Sequence, residues 1–289
     1  MPIAVSNFLD AAFSFASADD SRDLGSIAPV GNRLYLAMVF IHNDSEGAWD
    51  SEPVLTGGGM TSWSRILTIN QYDFNYMFAF RSVTASPGSG QLVFSRSGSH
   101  DLFSWAGVSV VEITGSVITG TNGADAIIQA VPHSQDADVA AATTVSMAGG
   151  GFAAGNGGVA FFVRHSLDTG NDGSSPRSGW SEIEDEVAGG DPTNEIAVHW
   201  RANSDTAAAA TYGSSAYART AVAFEIAAAA EGGGARKLAG SARHGIPGGL
   251  AGMGGGLAGF TKVGRLFRPD RSIVRPRLIV PVGIALQGA

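Results

Sequence analysis

The chain has no cysteine among its 289 residues, so neither a disulfide framework nor a thiolate metal site is open to it, and the fold must stand on packing alone. Nowhere does it hold about 18 uninterrupted apolar residues, so no lipid-spanning helix is expected. The opening MPIAVSNFLDAAFSFAS lacks a basic start and a long apolar core, so no signal peptide is expected either. There is no convincing amphipathic helix. The six histidines (His42, His100, His133, His165, His199 and His244) are scattered without zinc-site spacing. The glycine-rich stretches lack the GK[ST] ending of a phosphate-binding loop, and no Ser-His-Asp set stands on a recognisable nucleophile elbow. No cofactor, metal or catalytic residue is expected from these absences, and the chain reads as a non-enzyme.

What is present is a strand pattern, and it occurs twice. Phe103 to Gly115 (FSWAGVSVVEITG) alternates β-branched and small residues, and Tyr217 to Ala227 (YARTAVAFEIA) repeats it, each with a Glu before a final Ile. Leu36–His42 matches Val159–His165, Trp63 matches Trp180, and Phe80-Arg81 matches Trp200-Arg201. The separations of 113, 123, 117 and 120 residues drift only as loop lengths would. The expectation is an all-β protein, an antiparallel jelly-roll-like sandwich built from two sequence-similar halves, about 8–115 and 137–228, each giving strands to both sheets. Strands are expected at 8–17, 33–42, 63–70, 75–83 and 90–96, with Thr143–Met147 opening the second copy. Leu34–His42 is apolar on both faces, as a central strand would be. Gly120-Thr-Asn-Gly123 signals a turn between the copies.

Charge is divided unevenly. Residues 231–289 carry nine Lys/Arg and two acids (Glu231, Asp270), a balance of +7; residues 1–230 carry nine Arg, no Lys and 24 acids, a balance of −15. An acidic body repels nucleic acid, so none is expected as a partner there. Residues 231–289 form a glycine-rich linker and an extended Gly/Pro/Arg-rich C-terminal arm. The stretch 245–261 is uncharged but too glycine-rich for a membrane span. Pro269, Pro276 and Pro281 block helix in 265–282. The arm offers Arg265, Phe267, Arg268, Arg271, Ile273, Arg275, Arg277, Leu278 and Ile279, with Leu266, as anchors for a neighbouring subunit.

Several side chains invite a functional reading. Strand parity places Glu112 and Glu225 opposite Val111/Ile113 and Phe224/Ile226, and it pairs Arg81 with Glu112 and Arg201 with Glu225 on outer faces. Ala106, Val108 and Val110 make that outer face more apolar than solvent allows, so the chain's arm or another subunit is expected to cover it. Glu182, Glu184 and Glu186 alternate as the acids of a glycosidase strand do, but a solvated acidic edge fits them better. His42 and His165 occupy matching positions, which reads as a fold constraint. Asp168, Asn171 and Asp172 could bind calcium, yet read first as a polar turn. Trp63, Trp105, Trp180 and Trp200 fall on strands and read as core. Trp49, in the loop 43–53, is placed as a possible glycan platform.

Pro53-Val-Leu-Thr-Gly57, Trp63, Phe80-Arg81, Trp105 to Gly115, Gly120–Gly123, Gly179-Trp180 and Trp200-Arg201-Ala202 together resemble a poorly characterised β-sandwich module of bacteriophage virion proteins and phage-derived bacterial genes. The resemblance covers about residues 30–228. It implies a structural protein of the virion, a capsid decoration, head fibre or tail-associated sandwich, with other virion proteins and further copies of itself as partners. The alternative is a carbohydrate-binding adhesin or spike recognising a host surface polysaccharide. The resemblance carries no catalytic residues.

Overall fold

The computed structural model describes residues 2–13, 21–43, 53–71, 75–95, 103–135, 142–166, 173–188, 193–213 and 218–230. Eight strands make the first half: β1 (Ala4–Phe13), β2 (Ser21–Ile27), β3 (Leu34–Asn43), β4 (Val54–Gly57), β5 (Ser64–Gln71), β6 (Asn75–Val83), β7 (Gly90–Ser95) and β8 (Phe103–Thr114). Eight more follow: β9 (Ile127–Gln135), β10 (Ala142–Ser146), β11 (Gly157–Ser166), β12 (Ser174–Pro176), β13 (Ser181–Ala188), β14 (Thr193–Arg201), β15 (Ala207–Tyr212) and β16 (Ala218–Ile226).

The strands pair in the same way in both halves. The first large sheet has the order β1-β8-β3-β6-β5 and the second β9-β16-β11-β14-β13; the small sheets are β2-β7-β4 and β10-β15-β12. All these ladders are antiparallel, and each half is a jelly roll of five strands over three. The register confirms most of the expected correspondence. Leu34 faces Ile113 in the first half and Gly157 faces Ile226 in the second, so Glu112 answers Glu225 and Leu36 answers Val159. Both edge strands carry a bulge at the same place, at Ile66 and Ile183.

The two halves do not share one pair of sheets. Each closes its own, and the large sheets meet face to face, giving four layers. Leu34, Leu36, Met38, Phe40, Met77, Val111 and Ile113 form the central core with Val159, Phe161, Val163, Val198, Val222, Phe224 and Ile226. β1 lies against β13 and β5 against β9. The last strands of the halves also meet, where Val117 N donates to Ala227 O (2.9 Å) and Ala229 N to Gly115 O (2.8 Å).

Coverage of the outer faces explains the apolar stripe. Ala106, Val108 and Val110 lie under the small sheet of their own half, against Leu24, Leu55, Leu92 and Phe94. The cover expected from the arm or another subunit is supplied by strands of the same copy. In the second half, Val145, Ala208, Ala210 and Tyr212 cover Ala160, Phe162, Ala197, Ala221 and Ala223. Both faces of β3 and β11 are therefore buried, which is why neither alternates with polar residues.

The strands that the pattern missed are short or set at an edge. β9 carries Pro132, which is tolerated because this is an edge strand, and it precedes the segment expected to open the second copy. β2, β4 and β12 belong to the small sheets. The turn between the copies needs its glycine: Gly123 has φ 73°, and a Cβ there would lie 2.6 Å from Val83 Cγ2.

Candidate functional site

The second large sheet carries a row of charge on the face beneath its small sheet. Arg219, Arg164 and Glu195 are register partners across β16, β11 and β14. They are 1%, 1% and 2% exposed, so the charges are withdrawn from water almost completely. Arg164 Nη1 lies 3.4 Å from Glu195 Oε2. Both guanidinium groups lie over the Tyr212 ring, 5.4 Å (Arg164) and 4.9 Å (Arg219) from its centroid, a cation–π arrangement that partly replaces hydration.

Two further groups extend the row. Asp185 on β13 adjoins Glu195, and its Oδ2 accepts the Ser174 amide (2.7 Å). Ser174 Oγ lies 3.1 Å from His199 Nε2 and 3.4 Å from Glu182 Oε2. Burial pushes the Glu195 carboxyl up to about 8, with Asp185 adding to the rise and Arg164 opposing it. Burial also pulls His199 down to about 4, so its imidazole is neutral at physiological pH. Burial raises Tyr212, which keeps its phenolic proton, and lowers Arg219 from its ordinary value.

The first half has nothing comparable at the matching positions. By register, Arg164 corresponds to Ile41, Glu195 to Tyr76, Arg219 to Ala106, His199 to Phe80, Asp185 to Thr68 and Glu182 to Arg65. The polar cluster belongs to the second copy alone. Sequence reasoning missed it because it looked for what the copies share. The signal was the opposite one, an Arg in the apolar run VAFFVRH where the first copy reads LAMVFIH.

Of the residues singled out from sequence, several are relocated. Glu112 is held by Arg33 and by the Tyr35 hydroxyl, not by Arg81. Arg81 lies opposite Leu36 and Glu112 opposite Tyr35, so the two side chains leave the sheet on different faces. Glu225 accepts hydrogen bonds from Gln129 Nε2 (2.6 Å), Asn156 Nδ2 (2.7 Å) and the Ala153 amide (2.7 Å), and Arg201 instead meets Asp205 at 2.9 Å. The error was one residue of register. Arg81 corresponds to Trp200, so Phe78 and Phe80 face the small sheet whereas Val198 and Trp200 face the central core.

The acidic run does not line one face. The bulge at Ile183 turns Glu182 outward, whereas Glu184 and Glu186 lie opposite Val198 and Ile196 on the central side. Glu182 and Glu186 therefore leave β13 on opposite faces. β13 is an edge strand as expected, but Glu184 is buried and accepts the Ser109 hydroxyl from the first half. Burial pushes Glu184 up to about 8.

Trp180 is buried and bonds Asp205 (2.9 Å), Trp63 and Trp200 are half-buried against the cores, and His165 is buried. The side chains of Trp105 and His42 lie outside the described residues. So do Trp49, the residues Asp168, Asn171 and Asp172, and the arm with Arg265, Phe267, Arg268, Arg271, Ile273, Arg275, Arg277, Leu278 and Ile279.

Among the described residues no group of three or more metal-ligating side chains converges, and no helix is long and apolar enough to cross a membrane. No family model, curated protein or solved structure matches the chain. The fold thus defines an all-β protein of two fused jelly rolls.

Proposed function

We propose that the chain is a structural component of a bacteriophage particle, a capsid decoration, head fibre or tail-associated protein, fixed to its neighbours through residues 231–289. The observation that carries this reading is that the body covers its own apolar surface. Every large-sheet face is paired with another layer, and among the described residues the exposed large hydrophobics are the isolated Val30, Val54 and Ile128. The alternating Arg and apolar anchors and the +7 balance lie instead in residues 231–289, opposed to a body of −15. A self-sufficient acidic body with a basic strap suits a protein displayed on a scaffold and held by one end. Its partners would be other virion proteins and further copies of itself.

The test compares the full chain with residues 1–230 for incorporation into particles, read by mass spectrometry of purified virions. Incorporation of the full chain alone supports the reading, and equal incorporation of the truncated body refutes the anchoring role. Binding of the full chain to a host polysaccharide, lost in Trp49→Ala, would select the adhesin alternative.

A further inference from the structure

The small sheets of the two halves are held down by different chemistry. β4 presses Leu55, 2% exposed, into the core beneath its sheet. Its counterpart β12 reads Ser-Ser-Pro and contributes no side chain to the core beneath the second small sheet. Its ladder to β15 spans three residue pairs, with Arg177 N donating to Ala209 O (3.1 Å) just beyond it. What ties β12 to the large sheet is Ser174, through its amide to Asp185 and its hydroxyl to His199 and Glu182.

Asp185 is in turn held by an unusual neighbour. Asp185 Oδ1 and Glu195 Oε1 are both buried and have no hydrogen-bond donor among the described residues, although the two carboxyl groups adjoin. Two carboxylate oxygens placed together away from water repel, whereas one proton between them makes a short, strong bond. We propose that β12 is a proton-operated latch: the proton shared by Glu195 and Asp185 holds Ser174 and its strand onto the second large sheet, and loss of that proton releases them.

Above about pH 6.5, where an imidazole is neutral whether buried or hydrated, the other groups around the pair do not change charge with it. Tyr212 on β15 keeps its proton, and burial has pulled His199 on β14 down to about 4, so its imidazole is neutral in the shut form; Arg164 on β11 and Arg219 on β16 lie in register with Glu195. Glu182 on β13 is raised by burial and by Asp185, and it lies on the solvent side of Ser174. β12 brings no titratable group and β10 none. Glu195, at about 8 when the latch is shut, returns to the ordinary carboxylate range once hydrated. Above about pH 6.5 the shut form therefore binds a proton that the open form does not, and opening grows as pH rises from there, levelling off above about 8; below that, the proton that a hydrated His199 takes up offsets the one Glu195 releases. Glu184 titrates in the same range but on the central face, so a global stability measurement would confuse the two.

The test reads the latch locally. In the full chain, amide hydrogen exchange of Ser174, Ser175 and Arg177, corrected for intrinsic rates, should lose protection by about tenfold per pH unit between about pH 6.5 and 8, while β11 and β14 keep theirs. Glu195→Gln should abolish that slope and Glu184→Gln should leave it. Should Glu195→Gln fail to fold, Asp185→Asn, whose amide can donate to Glu195, should flatten it as well. Protection that does not vary with pH in the wild-type chain, a slope persisting in Glu195→Gln, or a slope removed by Glu184→Gln would each overturn the proposal.

Discussion

Arg164 stands where the first copy has Ile41, and the difference decides how each variant should behave. Removing Arg164 leaves Glu195 buried beside Asp185 with its cation gone. Arg164→Met should therefore cost ~3–5 kcal/mol, whereas the double change Arg164→Met with Glu195→Leu should cost less than the single one. Urea unfolding of the three proteins checks this. Glu225 poses the reverse case. Burial opposes its charge, but bonds from Gln129, Asn156 and the Ala153 amide together outweigh burial and hold the carboxyl below its usual range. Stability from such a group is present above the ordinary carboxylate value and is lost as pH falls through the depressed one. Glu225→Gln should cost ~1–3 kcal/mol at pH 7. That difference should narrow towards pH 3, measured by the same unfolding curves. Sequence parity read Glu225 correctly as leaving the anchor strand on the face away from the central core. Its partners were illegible, because Gln129 lies on an edge strand with no strong periodicity and Asn156 in the turn before β11.

Elements apolar on both faces were the most legible. β3, β6, β8, β11, β14 and β16 form the middle of the two large sheets, and the matching pairs came almost entirely from them. β2, β4, β9 and β12 escaped because they are short or lie at edges, and each buries few apolar residues. The apolar underside of β8 was legible too, but composition could not say that four-residue and seven-residue strands of the same copy would cover it. The bulge at Ile183 was equally hidden, since Glu182, Glu184 and Glu186 alternate in sequence whether or not the strand bends. Glu184 gives a prediction at this scale, because it joins β13 to β8 of the other half through Ser109. Its raised value means its contribution is complete below the ordinary carboxylate range and is lost as pH rises through about 8. Glu184→Gln, uncharged at every pH, should gain stability on the wild-type chain from pH 5 to pH 9, followed by thermal unfolding. At the turn after β4, Gly57 has φ 75° and a Cβ there would meet Gln91 O at 2.1 Å. Gly57→Ala should cost more than ~1 kcal/mol.

The whole molecule is two jelly rolls that need each other. Leu34, Leu36, Met38, Phe40, Met77, Val111 and Ile113 face only the second half, and each leaves water at a gain of about 1.5–3 kcal/mol for a large side chain. Residues 1–118 expressed alone should therefore self-associate or bind hydrophobic dyes, whereas residues 1–230 should sediment as a folded monomer. Duplication was readable from residue spacing. The layering was not, since one shared pair of sheets and two private pairs place the same residues inside. The most direct measurement is a map of interstrand contacts in residues 1–230 by NMR. Private pairs require ladders from Leu34 to Ile113 and Val83, and from Val159 to Trp200 and Phe224, with no ladder joining the copies beyond Ser116 and Ala228. A continuous ladder between a strand of the first copy and one of the second would contradict it.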